Sequence, residues 1–216
     1  MSAFPQRLID GYRAFITQRL PIEQSRYRAL SERGQSPETM VVGCCDSRVS
    51  PEVIFEAKPG ELFVVRNIAN LVPSYQPDTN AHGSSAALEF GVEVLKVKHI
   101  VILGHAQCSG IGAIIKKAAP LSSGDFIGRW MAMVIKPGEV IEQRERETMK
   151  EFATRIEKAA VFRSIENLMT FPFVQRSVES GHLRLHGAYF GIAEGSLYAL
   201  DRETKEFRRV GGNSLV

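Results

Sequence analysis

Met40-Val41-Val42-Gly43-Cys44-Cys45-Asp46-Ser47-Arg48 and His99-Ile100-Val101-Ile102-Leu103-Gly104-His105-Ala106-Gln107-Cys108 are built alike. In each, a short apolar run rich in β-branched residues passes through a glycine into side chains that ligate metals or ionise. Apolar runs of this length suit strands buried on both faces. Ligand sites in open α/β sheets lie just beyond the carboxyl ends of such strands. Two neighbouring strands of this kind can deliver a cysteine, Asp46, Arg48, His105 and Cys108 to one crevice.

The rest of the chain agrees with that frame. Leu62-Phe63-Val64-Val65 and a weaker His182-Leu183-Arg184-Leu185-His186 read as two more strands. Helical spacing lies between them: Leu88, Val92 and Leu95 share one face of Ser84 to Leu95. From about Glu139 to Met169 the chain is long, charged and periodic, with Glu and Arg at pairing distance. Strands alternating with helices predict an α/β fold, with a central, mostly parallel sheet flanked by helices. Gly195 to Asp201 and Phe207 to Val210 read as a C-terminal hairpin. At the other end Phe4, Leu8, Tyr12, Phe15 and Leu20 recur at helical spacing, Pro21 breaks the run, and Gly34, Ser36 and Pro37 mark a turn. The expected organisation is one domain over 1–216, with a helical arm at 1–38 and an α/β core at 39–216. The arm carries more apolar residues than a small sheet needs, which predicts packing on a partner subunit.

Composition narrows the function classes. A chain of 216 residues, 44% apolar and 24% charged, can build an ordinary water-soluble core. The net charge of +3 is too small, and Lys and Arg are too dispersed, for a nucleic-acid surface. The N-terminus lacks the apolar segment and cleavage site of a secretory signal. No apolar run reaches the ~20 residues that cross a bilayer. The expectation is a cytoplasmic protein without membrane or nucleic-acid partners. Three cysteines, Cys44, Cys45 and Cys108, make a poor disulfide framework, so metal binding or catalysis is the better use.

Thiolate and imidazole are zinc's preferred donors. One of the paired cysteines with His105 and Cys108 supplies three, and three protein ligands with one open position is the catalytic pattern. Gly-rich Ser109-Gly110-Ile111-Gly112 opens a helix whose N-terminus favours Cys108 as thiolate. Adjacent residues leaving a strand point to opposite sides, so Cys44 and Cys45 do not both face the metal, and pattern alone does not choose. Cys45, if turned away, reads as a small buried hydrophobe. Asp46 and Arg48 lie two apart, on one side of an extended backbone. A bidentate Arg48 keeps Asp46 ionised and aimed to accept a hydrogen bond from the metal's water. Two thiolates neutralise the zinc charge and leave its water less acidic than an all-imidazole site would, so a fixed acceptor is useful. Alone, Asp46-x-Arg48 would be a surface pair contributing only ~0–1 kcal/mol.

These segments resemble the β-class carbonic anhydrases. Cys-x-Asp-x-Arg, here Cys44, Asp46 and Arg48, is the family's first signature, and His-x-x-Cys, here His105 and Cys108, is its second. The resemblance extends through Gly60 to Asn70, Ala86 to Phe90 and His186 to Phe190. It implies Cys44 as the ligand, one zinc per chain, and hydration of carbon dioxide to bicarbonate and a proton by zinc-bound hydroxide. It also implies Gln35 as a hydrogen-bond donor to substrate near a subunit boundary, and Phe63, Ile68 and Phe90 as an apolar wall. The assembly implied is a homodimer or a dimer-based tetramer. Two positions depart from the usual pattern: Phe90 stands where Tyr is frequent, and Ser109-Gly110 replaces Gly-Gly. One subgroup carries an allosteric bicarbonate site around a Trp three residues before the first ligand. Val41 stands there, as in the plant-like, non-allosteric subgroup.

Other residues read more plainly. His99 and His186 suit core or capped positions, and His82 is a candidate proton relay. Phe126, Trp130 and Met131 suit packing, Arg66 and Asn67 shape the crevice or cap the next segment, and Glu142 to Glu151 suits a solvated helix face. Three rival functions remain: a non-catalytic zinc or bicarbonate scaffold, a CS2 or COS hydrolase on the same fold, and a redox protein using Cys44-Cys45.

Overall fold

The computed structural model describes residues 4–78, 80–116, 123–134 and 141–211. It divides into two compact units, Met1–Ser36 and Pro37–Val216.

The first unit is helical throughout. Helix α1 (Gln6–Ala14) runs through a wider π turn (Phe15–Arg19) into α2 (Leu20–Arg33). Pro21 does not break the run as its chemistry predicted. The Leu20 N–H reaches back five residues to the Phe15 carbonyl, and Pro21 falls in the first turn of α2, where a missing N–H costs nothing. Gly34 ends α2 at φ 79°, a conformation that favours glycine. No residue of α1 or α2 is buried.

The second unit is a six-stranded sheet in the order β2-β1-β3-β4-β5-β6. Strands β1 (Thr39–Cys44), β2 (Leu62–Asn67), β3 (His99–His105) and β4 (Arg184–Gly191) are parallel, and β5 (Ser196–Asp201) and β6 (Glu206–Arg209) add an antiparallel hairpin. The mostly parallel α/β architecture and C-terminal hairpin expected from the sequence are both present. Central strands β1 and β3 bury side chains of both faces, which is why their sequences read as unbroken apolar runs. Met40, Val42, Ile100, Ile102 and Leu185 pack beneath α4 (Gly83–Glu89), α7 (Met149–Leu168) and α8 (Pro172–Glu179). Val41, Leu103 and Ala188 on the other face pack with Val49, Ile54 and Phe55 near α3 (Pro51–Ile54). The approach of α7 to β3 depends on Gly104, where a Cβ would fall 2.6 Å from Val161 Cγ2.

Three readings need correction. Residues 141–148 are not helical, and α7 starts only at Met149. Thr148 and Glu151 form a reciprocal capping box there, and Glu147 is spent on Arg155 at 2.8 Å, so these side chains set where the helix begins rather than coat it. Phe126 opens α6 (Phe126–Met131) 83% exposed, whereas Trp130 and Met131 pack as expected. His99 and His186 are not core residues: their rings hydrogen-bond to one another, and His186 is exposed.

Candidate metal centre

Strand β1 ends on Cys44 and β3 on His105, with Cys108 three residues further on as the residue before α5 (Ser109–Ile115). The two strands are paired neighbours, so both ends open on one crevice. Cys44 Sγ, a His105 ring nitrogen and Cys108 Sγ all lie within 4.8 Å of one another, and all three residues are buried. Cys45 is exposed and lies outside the cluster. The prediction that only one cysteine faces the metal therefore holds, but Cys45 is not the buried hydrophobe expected. Its N–H donates to the Asn67 carbonyl at 2.9 Å, and the chain has left the packed part of the sheet there.

The donor set fits zinc. His105 Nδ1 lies 2.9 Å from its neighbour's carbonyl, Ala106 O, an acceptor that takes the ring proton and leaves Nε2 as a lone pair. Among the described residues that buried Nε2 has no hydrogen-bond partner, a costly state unless a cation takes the lone pair. The Cys108 thiol beside Cys44 lowers the Cys44 pKa to about 4. The same contact, together with burial, pushes the Cys108 thiol far up. One thiolate thus forms readily, and the second forms when a cation replaces the proton the pair shares. The Ala69 N–H adds a hydrogen bond to Cys44 Sγ at 3.3 Å.

Asp46 stands beside this cluster without joining it. Its Oδ2 is 4.0 Å from His105 Nε2. Arg48 holds the carboxylate with both arms, Nε to Oδ1 at 2.9 Å and a terminal nitrogen to Oδ2 at 2.7 Å, and the Arg48 N–H adds a third bond at 3.0 Å. The Arg48 hydrogen bond keeps this carboxyl well below the usual carboxylate range. Arg48 also donates to the Gln107 carbonyl at 3.0 Å, tying the two signature segments together. Of the two roles expected for Arg66 and Asn67, Arg66 shapes the crevice, and Asn67 caps the next segment through the Leu71 backbone at 2.8 Å. Arg66 donates to the carbonyls of Cys44, Asp46 and Val49 at 2.7–2.8 Å and so fixes the loop after β1.

The remaining sequence candidates divide. Ile68 lies against Gly110, two residues past Cys108, and is 41% exposed. Phe63 and Phe90 pack together, ring centroids 5.9 Å apart, with Phe90 42% exposed. Gln35 is an exposed residue of the first unit. His82 bonds Asp78 at 2.8 Å rather than any donor residue.

One functional neighbour escaped the sequence reading. Glu157 is buried on α7, where Oε1 accepts from the Cys108 N–H at 3.0 Å and Oε2 from the Tyr189 hydroxyl at 2.7 Å. Burial raises its pKa. The signal was available: Glu157 shares a helical stripe with buried Val161, Ser164 and Leu168, and a carboxyl on such a stripe needs partners.

A family model described as carbonic anhydrase matches residues 39–197, which include all three donors, Asp46 and Arg48 but not Gln35. A carbonic anhydrase of Pseudomonas aeruginosa is 34% identical over 93% of this chain and 89% of its own length. The chloroplastic beta carbonic anhydrase 5 of Arabidopsis thaliana is 35% identical over 78% of this chain, a match spanning 55% of that protein. The solved β-carbonic anhydrase CcaA superposes with a TM-score of 0.84 at 25% identity, over 95% of this chain and 98% of that one. A β-carbonic anhydrase from Sordaria macrospora, described as tetrameric, gives 0.78 at 28% identity over 90% and 95% of the two chains.

Proposed function

This chain belongs to the β-class carbonic anhydrases, and from that premise we propose how its own residues carry the reaction. It catalyses the reversible hydration of carbon dioxide to bicarbonate and a proton, with zinc as cofactor. The observation that carries the assignment of roles is the Asp46–Arg48 pair, adjacent to the three-donor cluster and separate from it.

Cys44, His105 and Cys108 hold the zinc, which when bound supplies the Lewis acidity that makes water a nucleophile near neutral pH. Asp46, kept ionised by Arg48, accepts a hydrogen bond from the attacking water and orients its lone pair toward the carbon of carbon dioxide. Arg48 spends its Nε and one terminal nitrogen on Asp46 and the Gln107 carbonyl, which fixes the carboxylate in place. Ile68, Phe63 and Phe90 supply the apolar wall that an uncharged, linear substrate needs. The released proton passes to buffer.

The test is Asp46→Asn, assayed by stopped-flow carbon dioxide hydration on protein of measured zinc content. The amide keeps the shape but loses the charged acceptor, so turnover falls about 10²-fold while zinc per chain is unchanged. A parental rate in Asp46→Asn would refute the acceptor role.

We assign the chain to the plant-like subgroup without a bicarbonate switch. Val41 is fully packed with Leu103 and Ala188 where the other subgroup has its Trp, which supports this. Activity should then fall without cooperativity as bicarbonate is added at constant pH and ionic strength, and a steep sigmoidal loss counts against the assignment. The proposed assembly is a homodimer or dimer-based tetramer. Phe4, Tyr12 and Ile22, each more than 60% exposed, support it, as does the tetrameric Sordaria neighbour. A monomeric mass by light scattering would remove it. The cytoplasm is the proposed setting, because free thiol ligands suit a reducing compartment; cell fractionation tests it.

A further inference from the structure

Six residues before His105, at the other end of β3, a second pair of donors meets. His99 Nδ1 and His186 Nε2 face one another at 3.1 Å, with ring centroids 5.2 Å apart and planes tilted by 53°. The parallel register of β3 and β4 produces this. His186 lies opposite Val101, two residues along from His99, so both rings rise from one face of the sheet. His99 is half-buried and His186 exposed. Among the described residues neither ring has another hydrogen-bond partner. The six-residue offset puts this pair about 20 Å from the Cys44–His105–Cys108 centre.

We propose that His99 and His186 form a second metal site, on the surface, for a borderline divalent transition ion such as Ni2+, Cu2+ or Zn2+, bridging β3 and β4. The spacing carries the inference. Nitrogens bound at 2.0–2.1 Å to one ion, at octahedral to tetrahedral angles, sit about 2.9–3.4 Å apart. The observed 3.1 Å falls inside that window. Two facing imidazole nitrogens can share only one proton, and a metal ion would displace it by binding off the line between the two nitrogens, where both lone pairs can reach it. Imidazole pairs select nickel, copper and zinc over calcium and magnesium, which prefer oxygen. Partial desolvation of the ring, helped by His99, Arg184 and Arg202, lowers the His186 pKa, which favours the neutral, ligand-competent form. The same arginines oppose a cation. Glu38, paired with Lys98, acts on His99 with the opposite sign. The balance predicts a site weaker than the catalytic one and open to water on its outer side.

The experiment uses the full chain already loaded with one zinc, titrated with Ni2+ by calorimetry and with Cu2+ by NMR. Ni2+ should bind with one further equivalent per chain. His99→Ala and His186→Ala should each weaken that binding about tenfold or more, because each removes one of two donors. Carbon dioxide hydration should be unchanged in both variants. In the parent, paramagnetic Cu2+ should broaden the His99 and His186 ring signals before those of His82 and His182, a readout that needs no variant to fold. No second equivalent, equal affinity in the double variant, or first broadening at His82 or His182 would each overturn the proposal.

Discussion

Replacing Glu157 by leucine separates holding the zinc loop from filling the core. Glu157 is 4% exposed and satisfies two groups, the Cys108 N–H and the Tyr189 hydroxyl. Leucine occupies much of the same volume but accepts nothing. The Cys108 N–H is then buried and unpaired, at a cost of about 1–3 kcal/mol. Tyr189 loses less, because Thr154 is close enough to take over its hydroxyl. Outer contacts of this kind are also worth about 10–100-fold in metal affinity, since they orient the ligand. Glutamine is the control: its carbonyl accepts from Cys108 as before, and its amide donates to the Tyr189 oxygen, which turns from donor to acceptor. Glu157→Leu should therefore lose 1–3 kcal/mol or slightly more in urea unfolding, and should release zinc to a chelator at about 10–100-fold lower chelator concentration. Glu157→Gln should stay close to the parent on both counts. If leucine matched the parent in stability and zinc retention, Glu157 would be a packing residue and the argument from its two hydrogen bonds would be wrong.

Other expectations follow from the same geometry. Gly104→Ala places a methyl 2.6 Å from Val161 Cγ2; it should destabilise by about 1–3 kcal/mol, and adding Val161→Ala should recover part of that in thermal melts. Cys45→Ala should keep zinc and activity, whereas Cys44→Ala, His105→Ala and Cys108→Ala should lose both; metal analysis beside the hydration assay decides, and inactivity of Cys45→Ala would revive a redox role. Hydrogen bonding by Arg155 lowers the Glu147 pKa to about 2. A depressed carboxyl stabilises the fold above its unfolded pKa of about 4.3 and loses that contribution as pH falls through the folded value. The stability gap between parent and Glu147→Gln should accordingly be full at pH 6 and close by about pH 2, as read by urea unfolding across that range.

Much of this molecule is legible residue by residue. The alternation of apolar runs with helical spacing was enough for the parallel sheet, because a strand buried on both faces must be apolar at every position. Placing the ligands just past those runs was enough for the crevice, because paired parallel strands end on the same side. The side chains Cys44, Asp46, Arg48, His105 and Cys108 therefore carried their chemistry in the linear order. Local readings failed where the backbone left the strands. Cys45 lies exposed after β1, residues 141–148 precede α7 although their charges looked helical, and Pro21 follows a π turn without breaking the helix. What only the tertiary structure decided is the set of contacts between distant residues. Glu157 reaches the Cys108 N–H across 49 residues, Arg48 reaches the Gln107 carbonyl across 59, and His99 meets His186 across 87. No periodicity encodes such pairs. They arise when helix α7 and the neighbouring strands pack, and for buried Glu157 the packing leaves only the partners it brings within reach.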